Sequence, residues 1–206
     1  MKKTITTLSI LLLAATAFTS CERDEDVDES MCLSGQWYGD FGMYYEYEYR
    51  GHIYTFDSYD TDIVFYPEYD YATYGYGYQV DWYEEGPYER MSFKFNWEIR
   101  DGIIYLDYPR YPEYNARIYN YTLNNDRFTG RFNDSSSRFT LRKIADYYDW
   151  SYYSSWEFHY WYNSNWSWGY YSQSRALSEG QDNIAGEDNT PKSNEGRIIT
   201  IGNRNK

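Results

Sequence analysis

From Gly35 onward the chain alternates large apolar and polar residues in short blocks separated by turn residues, and this period of two predicts strands rather than helices. In the first block Trp37, Gly39, Phe41, Met43, Tyr45, Tyr47 and Tyr49 share one face, with Gln36, Asp40, Glu46 and Glu48 on the other. A turn region follows at Gly51-His52-Ile53. The second block, residues 59–66, sets Ile63 and Phe65 against Asp60 and Asp62 and stops at Pro67. The third sets Tyr74, Tyr76, Tyr78, Val80 and Trp82 against Gly75, Gly77, Gln79 and Asp81, its glycines marking a bend or the close approach of another chain or a ligand. The fourth alternates without exception, Met91, Phe93, Phe95, Trp97 and Ile99 against Ser92, Lys94, Asn96, Glu98 and Arg100. Asp101-Gly102 is a two-residue hairpin signal, and a fifth strand follows over residues 103–108. Three more are expected at residues 115–123, 127–133 and 137–144, the last with Phe139 and Leu141 inward and Arg138, Thr140 and Arg142 outward. Eight sequential strands with short connections predict an all-β domain. The expected form is a small antiparallel up-and-down barrel of eight strands, closed so that it has no open edge; a two-sheet β-sandwich is the alternative.

The pattern on either side differs. Residues 146–171 are built almost wholly from Tyr, Trp, Ser and Asn. Aromatics fill 10 of the 12 even positions from 148 to 170 but only 4 of the 13 odd positions from 147 to 171, so the tract reads as extended, with breaks near Ser154 and at Asn163-Ser164-Asn165. A low-complexity, partly disordered segment is the other reading. In the extended form Trp156, Phe158, Tyr160 and Tyr162 pack on the barrel. Ser155, Glu157, His159 and Trp161 then face solvent, and Trp166 and Trp168, beyond the second break, form an exposed stacking platform. Residues 172–206 hold no aromatic and are expected to be disordered, with Ile198-Ile199-Thr200-Ile201 the one plausible strand.

At the start of the chain, Met1-Lys2-Lys3 precedes an apolar run over residues 8–18, a charged and then hydrophobic leader too short to span a bilayer as a helix. The Phe18-Thr19-Ser20-Cys21 junction resembles the lipobox of bacterial lipoproteins, with Phe18 where that family usually carries Leu. The resemblance implies that residues 1–20 are a signal peptide and that Cys21 is acylated; cleavage near Ser20 to a soluble periplasmic protein is the alternative. Residues 21–32 are acidic and read as a solvated tether. The run from Glu22 to Glu29 also resembles the acidic surface-export signal of lipoproteins of the Bacteroidota phylum, which implies an outer-membrane, surface-exposed protein. With Cys21 acylated, Cys32 has no partner, so a disulfide framework, a zinc site and a CxxC pair are all excluded.

Within the β domain, taken as residues 33–144, Leu33-Ser34-Gly35-Gln36-Trp37 resembles the GxW motif of lipocalins. Phe128-Thr129-Gly130-Arg131-Phe132 and Phe139-Thr140-Leu141-Arg142 resemble the closing strands of small lipocalin-like lipoproteins. The likeness implies that Trp37 plugs the closed end of the barrel against an Arg of the last strand, Arg138 or Arg142.

Composition then narrows the function. The chain has 29 Tyr, 8 Trp and 10 Phe, so its core must be built from rings. Nineteen basic residues against 32 acidic ones give a net charge of −13, which becomes −15 once Lys2 and Lys3 leave with the first 20 residues; no nucleic-acid footprint exists. His52 and His159 are the only histidines, and no GxSxG elbow, HExxH pair or phosphate-binding glycine loop occurs. Asp57-Ser58-Tyr59-Asp60-Thr61-Asp62 is rich in oxygen but lacks the spacing of a calcium loop, and Glu84-Glu85 reads as a solvated loop. The expectation is therefore a non-catalytic binding module with no cofactor or metal, recognising a glycan or small amphipathic ligand. Tyr76, Tyr78, Trp82, Trp161, Trp166 and Trp168 are its candidate contacts. A structural or adhesive surface protein acting through the tract at residues 145–171 is the alternative.

Overall fold

The computed structural model describes residues 25–133, 138–147, 158–168 and 196–203. The leader, Cys21, Ser154 to Glu157 and the part of the tail before residue 196 lie outside these. One helix, α1 (Glu25–Leu33), precedes strands β1 (Gly35–Asp40), β2 (Met43–Tyr49), β3 (His52–Pro67), β4 (Tyr74–Tyr83), β5 (Tyr88–Arg100) and β6 (Ile103–Asp107). After a 3-10 turn at Pro112–Tyr114 come β7 (Ala116–Leu123), β8 (Arg127–Phe132), β9 (Phe139–Ala145), β10 (Phe158–Tyr162) and β11 (Gly196–Asn203).

All pairings are antiparallel. β1 bonds to β9 on one side and to β3 on the other, so β1, β3, β4, β5, β6, β7, β8 and β9 close into an eight-strand barrel of lipocalin-like form. This closure rules out the sandwich. The first alternating block bends at Phe41-Gly42, where Gly42 takes a φ of +72°. β1 stays in the barrel wall, and β2 runs on beside residues 52–57 of β3. Of those residues His52 and Ile53, expected in a turn region, are strand instead. The turn is only Arg50-Gly51, both at positive φ (51° and 79°), the mirror-image geometry that suits a hairpin. β10 extends the wall beside the first half of β5, and β11 covers the outer edge of β2. The strand expected within the tail is therefore present.

The core is made of rings, as the shortage of aliphatic residues requires. Trp37, Phe41, Tyr45, Phe65, Phe95 and Phe128 are fully buried. They meet mostly edge to face, as with Phe41 at 4.7 Å from Phe132 and 4.9 Å from Phe139. β4 sends its small and polar residues into this core, and its aromatic row faces out. A Cβ on Gly77 would sit 2.2 Å from Phe95 Cζ, so the close approach marked by that glycine is a core ring crossing β4. Inside the barrel the Thr61 hydroxyl donates to Asp81 Oδ1 at 2.6 Å, and Gln79 Nε2 donates to both Asp81 oxygens at 3.0 and 2.8 Å. The Tyr108 hydroxyl donates to Gln79 Oε1 at 2.8 Å.

Three expectations are corrected here. The segment expected to be a solvated tether is helical from Glu25, and α1 closes one end of the barrel. Leu33 and Ser30 are buried, the Ser30 hydroxyl donates to the Ala72 carbonyl at 2.5 Å, and Asp26 accepts from the Asp101 and Gly102 amides of the β5–β6 turn. The acids of α1 thus serve as acceptors for the barrel rim as well as solvated charge.

Trp37 does sit buried at this end, its indole N–H donating to the Leu33 carbonyl at 2.7 Å. The cation over it, however, is Lys143 at 5.5 Å. Arg142 lies over Tyr38, and Arg138, exposed, donates to the Asn120 carbonyl. Lys143 shares the parity of inward Phe139 and Leu141, whereas both arginines alternate outward.

The third correction is at the opposite end. Trp168 is only 4% exposed, stacked on Tyr49 at 4.1 Å with the rings 6° from parallel, and Trp166 packs edge-on to Phe56 at 5.4 Å. Trp168 belongs to the core and Trp166, partly buried, packs against it, because β2 and the first half of β3 extend past the barrel and present Tyr47, Tyr49, Tyr54 and Phe56 to them.

Candidate functional site

Among the described residues the interior is packed by rings, and two grooves lie on the outer wall. Even-numbered residues of β4 face out, so Tyr76, Tyr78 and Trp82 line up along one strand, with Val80 buried among Tyr66, Tyr78 and Trp82. Lys94 of β5 lies over Tyr76 and Tyr78 at 5.7 and 6.0 Å. Beyond the buried Val80–Ser92 pair, Asp60, Trp82, Arg90 and Trp161 form a row across β3, β4, β5 and β10. The Arg90 guanidinium lies between two indoles, 5.2 Å from Trp82 and 4.5 Å from Trp161. Four of the six expected contacts, Tyr76, Tyr78, Trp82 and Trp161, are thus brought onto one continuous face. Trp166 and Trp168 are not among them.

Trp82 also belongs to a groove of about 590 Å³ at the β4–β5 end of that face, lined by Tyr59, Trp82, Tyr83, Glu84, Glu89, Asn163 and Asn165. Two β-bulges shape it. In β3 the register with β4 shifts between Ser58 and Asp60, so Tyr59 is the extra residue. In β5 the register with β10 shifts beside Trp161 and Tyr162, which pair with Arg90 and Tyr88 and leave Glu89 over. A bulge re-aims the side chain it carries, and here both re-aimed side chains are at the groove. Tyr59 would follow Ile63 and Phe65 inward on strict alternation; the bulge turns it out, and it is 52% exposed. Asn163 fixes the third wall, its amide donating to the Pro87 carbonyl at 2.9 Å while its side-chain oxygen accepts from the Asn165 amide at 3.1 Å.

The electrostatics are acidic. Tyr59 is held above the usual phenol range by partial burial and then by the negative charges of Asp60, Glu84 and Glu89. The Tyr38 hydroxyl donates to Asp60, which pushes the phenol up to about 12. Burial, helped by the charge of Arg90, lowers the His159 imidazole, which meets Trp161 edge-on at 4.4 Å. The sole cation at the rim is Arg90 among the described residues of the row, and its Nε stands 3.8 Å from a Glu89 oxygen.

No known family model, curated protein or solved structure matches this chain. A second groove, of about 410 Å³, lies on the wall of β4 to β6, lined by Glu68, Tyr74, Gly75, Asn96, Trp97, Glu98, Tyr105 and Asp107. Two of its three acids are engaged: Asp107 accepts from Asn115 Nδ2 at 2.7 Å and Glu98 faces Arg100 at 3.4 Å. Its Trp97 points into the core and donates its indole N–H to the Tyr66 and Tyr76 carbonyls. The first groove is the one that combines an indole outside the core, an exposed phenol, amides and carboxylates.

Of its residues only Trp82 was singled out from sequence as a contact. Tyr59, Glu89, Asn163 and Asn165 were missed because bulges and the docking of β10 leave no periodic trace. Glu84 carried the one usable signal, a carboxylate two residues after an outward Trp at a hairpin.

Proposed function

We propose that the chain is a lipid-anchored cell-envelope binding module, non-catalytic, which recognises a glycan or a small amphipathic ligand on the outer wall of its barrel. The observation that carries this reading is the pairing of Trp82 with a bulge-presented Tyr59 in a groove rimmed by Glu84, Glu89, Asn163 and Asn165. A sugar ring offers an apolar face for an aromatic platform and hydroxyls for amides and carboxylates, and this groove supplies both kinds of partner. Anchoring rests on the Ser20-Cys21 junction, and outer-membrane, surface-exposed placement on the acidic residues that follow it.

Titrating the protein with a panel of oligosaccharides and fatty acids while following Trp fluorescence tests the reading. Saturable binding that Trp82→Ala weakens by about 30-fold, the loss expected for an aromatic hot spot of ~2 kcal/mol, supports it. Binding that is indifferent to Trp82 removes the groove from the argument. For the anchor, Cys21→Ser is expected to release the protein from the membrane fraction; a mutant that still sediments there refutes lipidation. The adhesive alternative draws on the aromatic tract, where Tyr160 and Tyr162 are exposed, and self-association without any ligand response favours it.

A further inference from the structure

We infer that the groove takes a saccharide carrying a free, protonated amine rather than a neutral or acidic sugar, an inference that rests on the binding reading above. Two of the groove's seven lining residues are carboxylates, Glu84 and Glu89, and a third, Asp60, stands next to Tyr59 and opposite Trp82. The Tyr59 phenol at the aromatic wall is shifted upward first by its partial burial and then by the negative charges of these three carboxylates. Against them stands Arg90, whose guanidinium is already held between Trp82 and Trp161 and beside Glu89.

A neutral sugar would meet the acids with hydroxyl donors alone. An ammonium group meets them with charge-assisted hydrogen bonds and also interacts with the π faces of Trp82 and Tyr59. An acidic sugar would be repelled at this rim and by a chain of net charge −13. Asn163 and Asn165 remain for the uncharged hydroxyls.

The test compares the glucosamine trimer with its fully N-acetylated counterpart on the full chain at pH 6, by Trp fluorescence and calorimetry. The expected result is at least tenfold tighter binding of the free amine. That preference should collapse in the Glu84→Gln, Glu89→Gln double variant and shrink at about 0.5 M salt, where charge is screened within a few ångströms. Asp70→Asn with Asp126→Asn removes the same charge from exposed sites elsewhere, and it should leave the preference intact.

Equal affinity for both trimers overturns the inference and leaves the glycan reading standing. A free-amine preference that survives in the double Gln variant also overturns it, as non-specific attraction to an acidic protein. If neither trimer binds, the inference fails and glycan recognition loses its support with it.

Discussion

Replacing Asp81 by asparagine is expected to reverse its effect on stability between alkaline and acid pH. Asp81 is wholly buried inside the barrel, and the groups that bond to it, the Thr61 hydroxyl and the Gln79 amide, are neutral. Burial raises its pKa from 3.8 to about 7, the hydrogen bonds from Thr61 and Gln79 opposing the rise. The folded-state value lies above the unfolded one, so between about pH 4 and pH 7 the native chain binds more protons than the unfolded chain. Stability from this group therefore grows as pH falls through 7, is complete below the unfolded value, and is lost again as pH rises. At about 1.4 kcal/mol for each tenfold change in proton affinity, the charged form costs roughly 4 kcal/mol at pH 8.

The asparagine introduced by Asp81→Asn would carry no charge at any pH. Its amide N–H₂ requires an acceptor where Gln79 Nε2 now donates, so Gln79 must flip and Tyr108 must turn its hydroxyl to accept. That rearrangement costs about 1 kcal/mol. The variant should be about 3 kcal/mol more stable than wild type at pH 8 and about 1 kcal/mol less stable at pH 4. Urea denaturation followed by Trp fluorescence at pH 4, 6 and 8, with unchanged slopes, measures the difference. Glu29 and Asp62, also raised by burial, titrate in both proteins and cancel in the comparison. A variant displaced from wild type by the same amount at every pH would refute the argument.

Two further substitutions test the packing. Trp168→Ala removes a ring stacked at 4.1 Å on Tyr49 and in contact with Tyr47 and Tyr54, so a loss of about 3–5 kcal/mol and a fall in Tm of roughly 10 °C are expected by calorimetry, with groove binding retained. Gly77→Ala drives a methyl to 2.2 Å from Phe95 and 2.5 Å from the Val64 carbonyl, and should cost about 2–3 kcal/mol in urea denaturation; a neutral result would mean that β4 presents its aromatic row inward instead.

The eight barrel strands were legible because one-face burial leaves a period of two, and β5, with Met91 to Ile99 alternating cleanly, is the plainest case. Periodicity separates two faces but does not say which is inside. In β4 the large residues point out and Gly75, Gly77, Gln79 and Asp81 point in, since the rings of β5 already fill the space against β4. Nor does it survive a bulge. Buried positions in β3 run Phe56, Ser58, then Thr61, Ile63, Phe65, and the break in parity is where Tyr59 is turned to the groove. α1 was missed for a different reason: six of the eight residues from Glu22 to Glu29 are acidic, which reads as solvated chain, while the buried pair Ser30 and Leu33 is too short a stripe to register.

The same residue economy that fills the barrel is the reason the proposed recognition site is sought outside it. Lipocalin-like closure can leave a cavity when the inward residues are small, but here Trp37, Tyr45, Tyr83, Phe93, Phe95, Trp97 and Phe128 converge from β1, β2, β4, β5 and β8. The end away from α1, where a ligand would enter, is occupied by Trp168 and Tyr49 in a parallel stack and by Trp166 against Phe56. A ring-built core needs rings to cap it, and the aromatic tract after β9 supplies them in Trp166 and Trp168. Before it reaches the barrel end, the same tract pairs with β5 as β10. Its Trp161 then completes the row with Arg90 and Trp82, and its following turn brings Asn163 and Asn165 to the groove. The segment that caps the core therefore also contributes to the candidate groove. A chain cut before β10 would lose the plug, the third wall of the groove and one of the two indoles around Arg90 together.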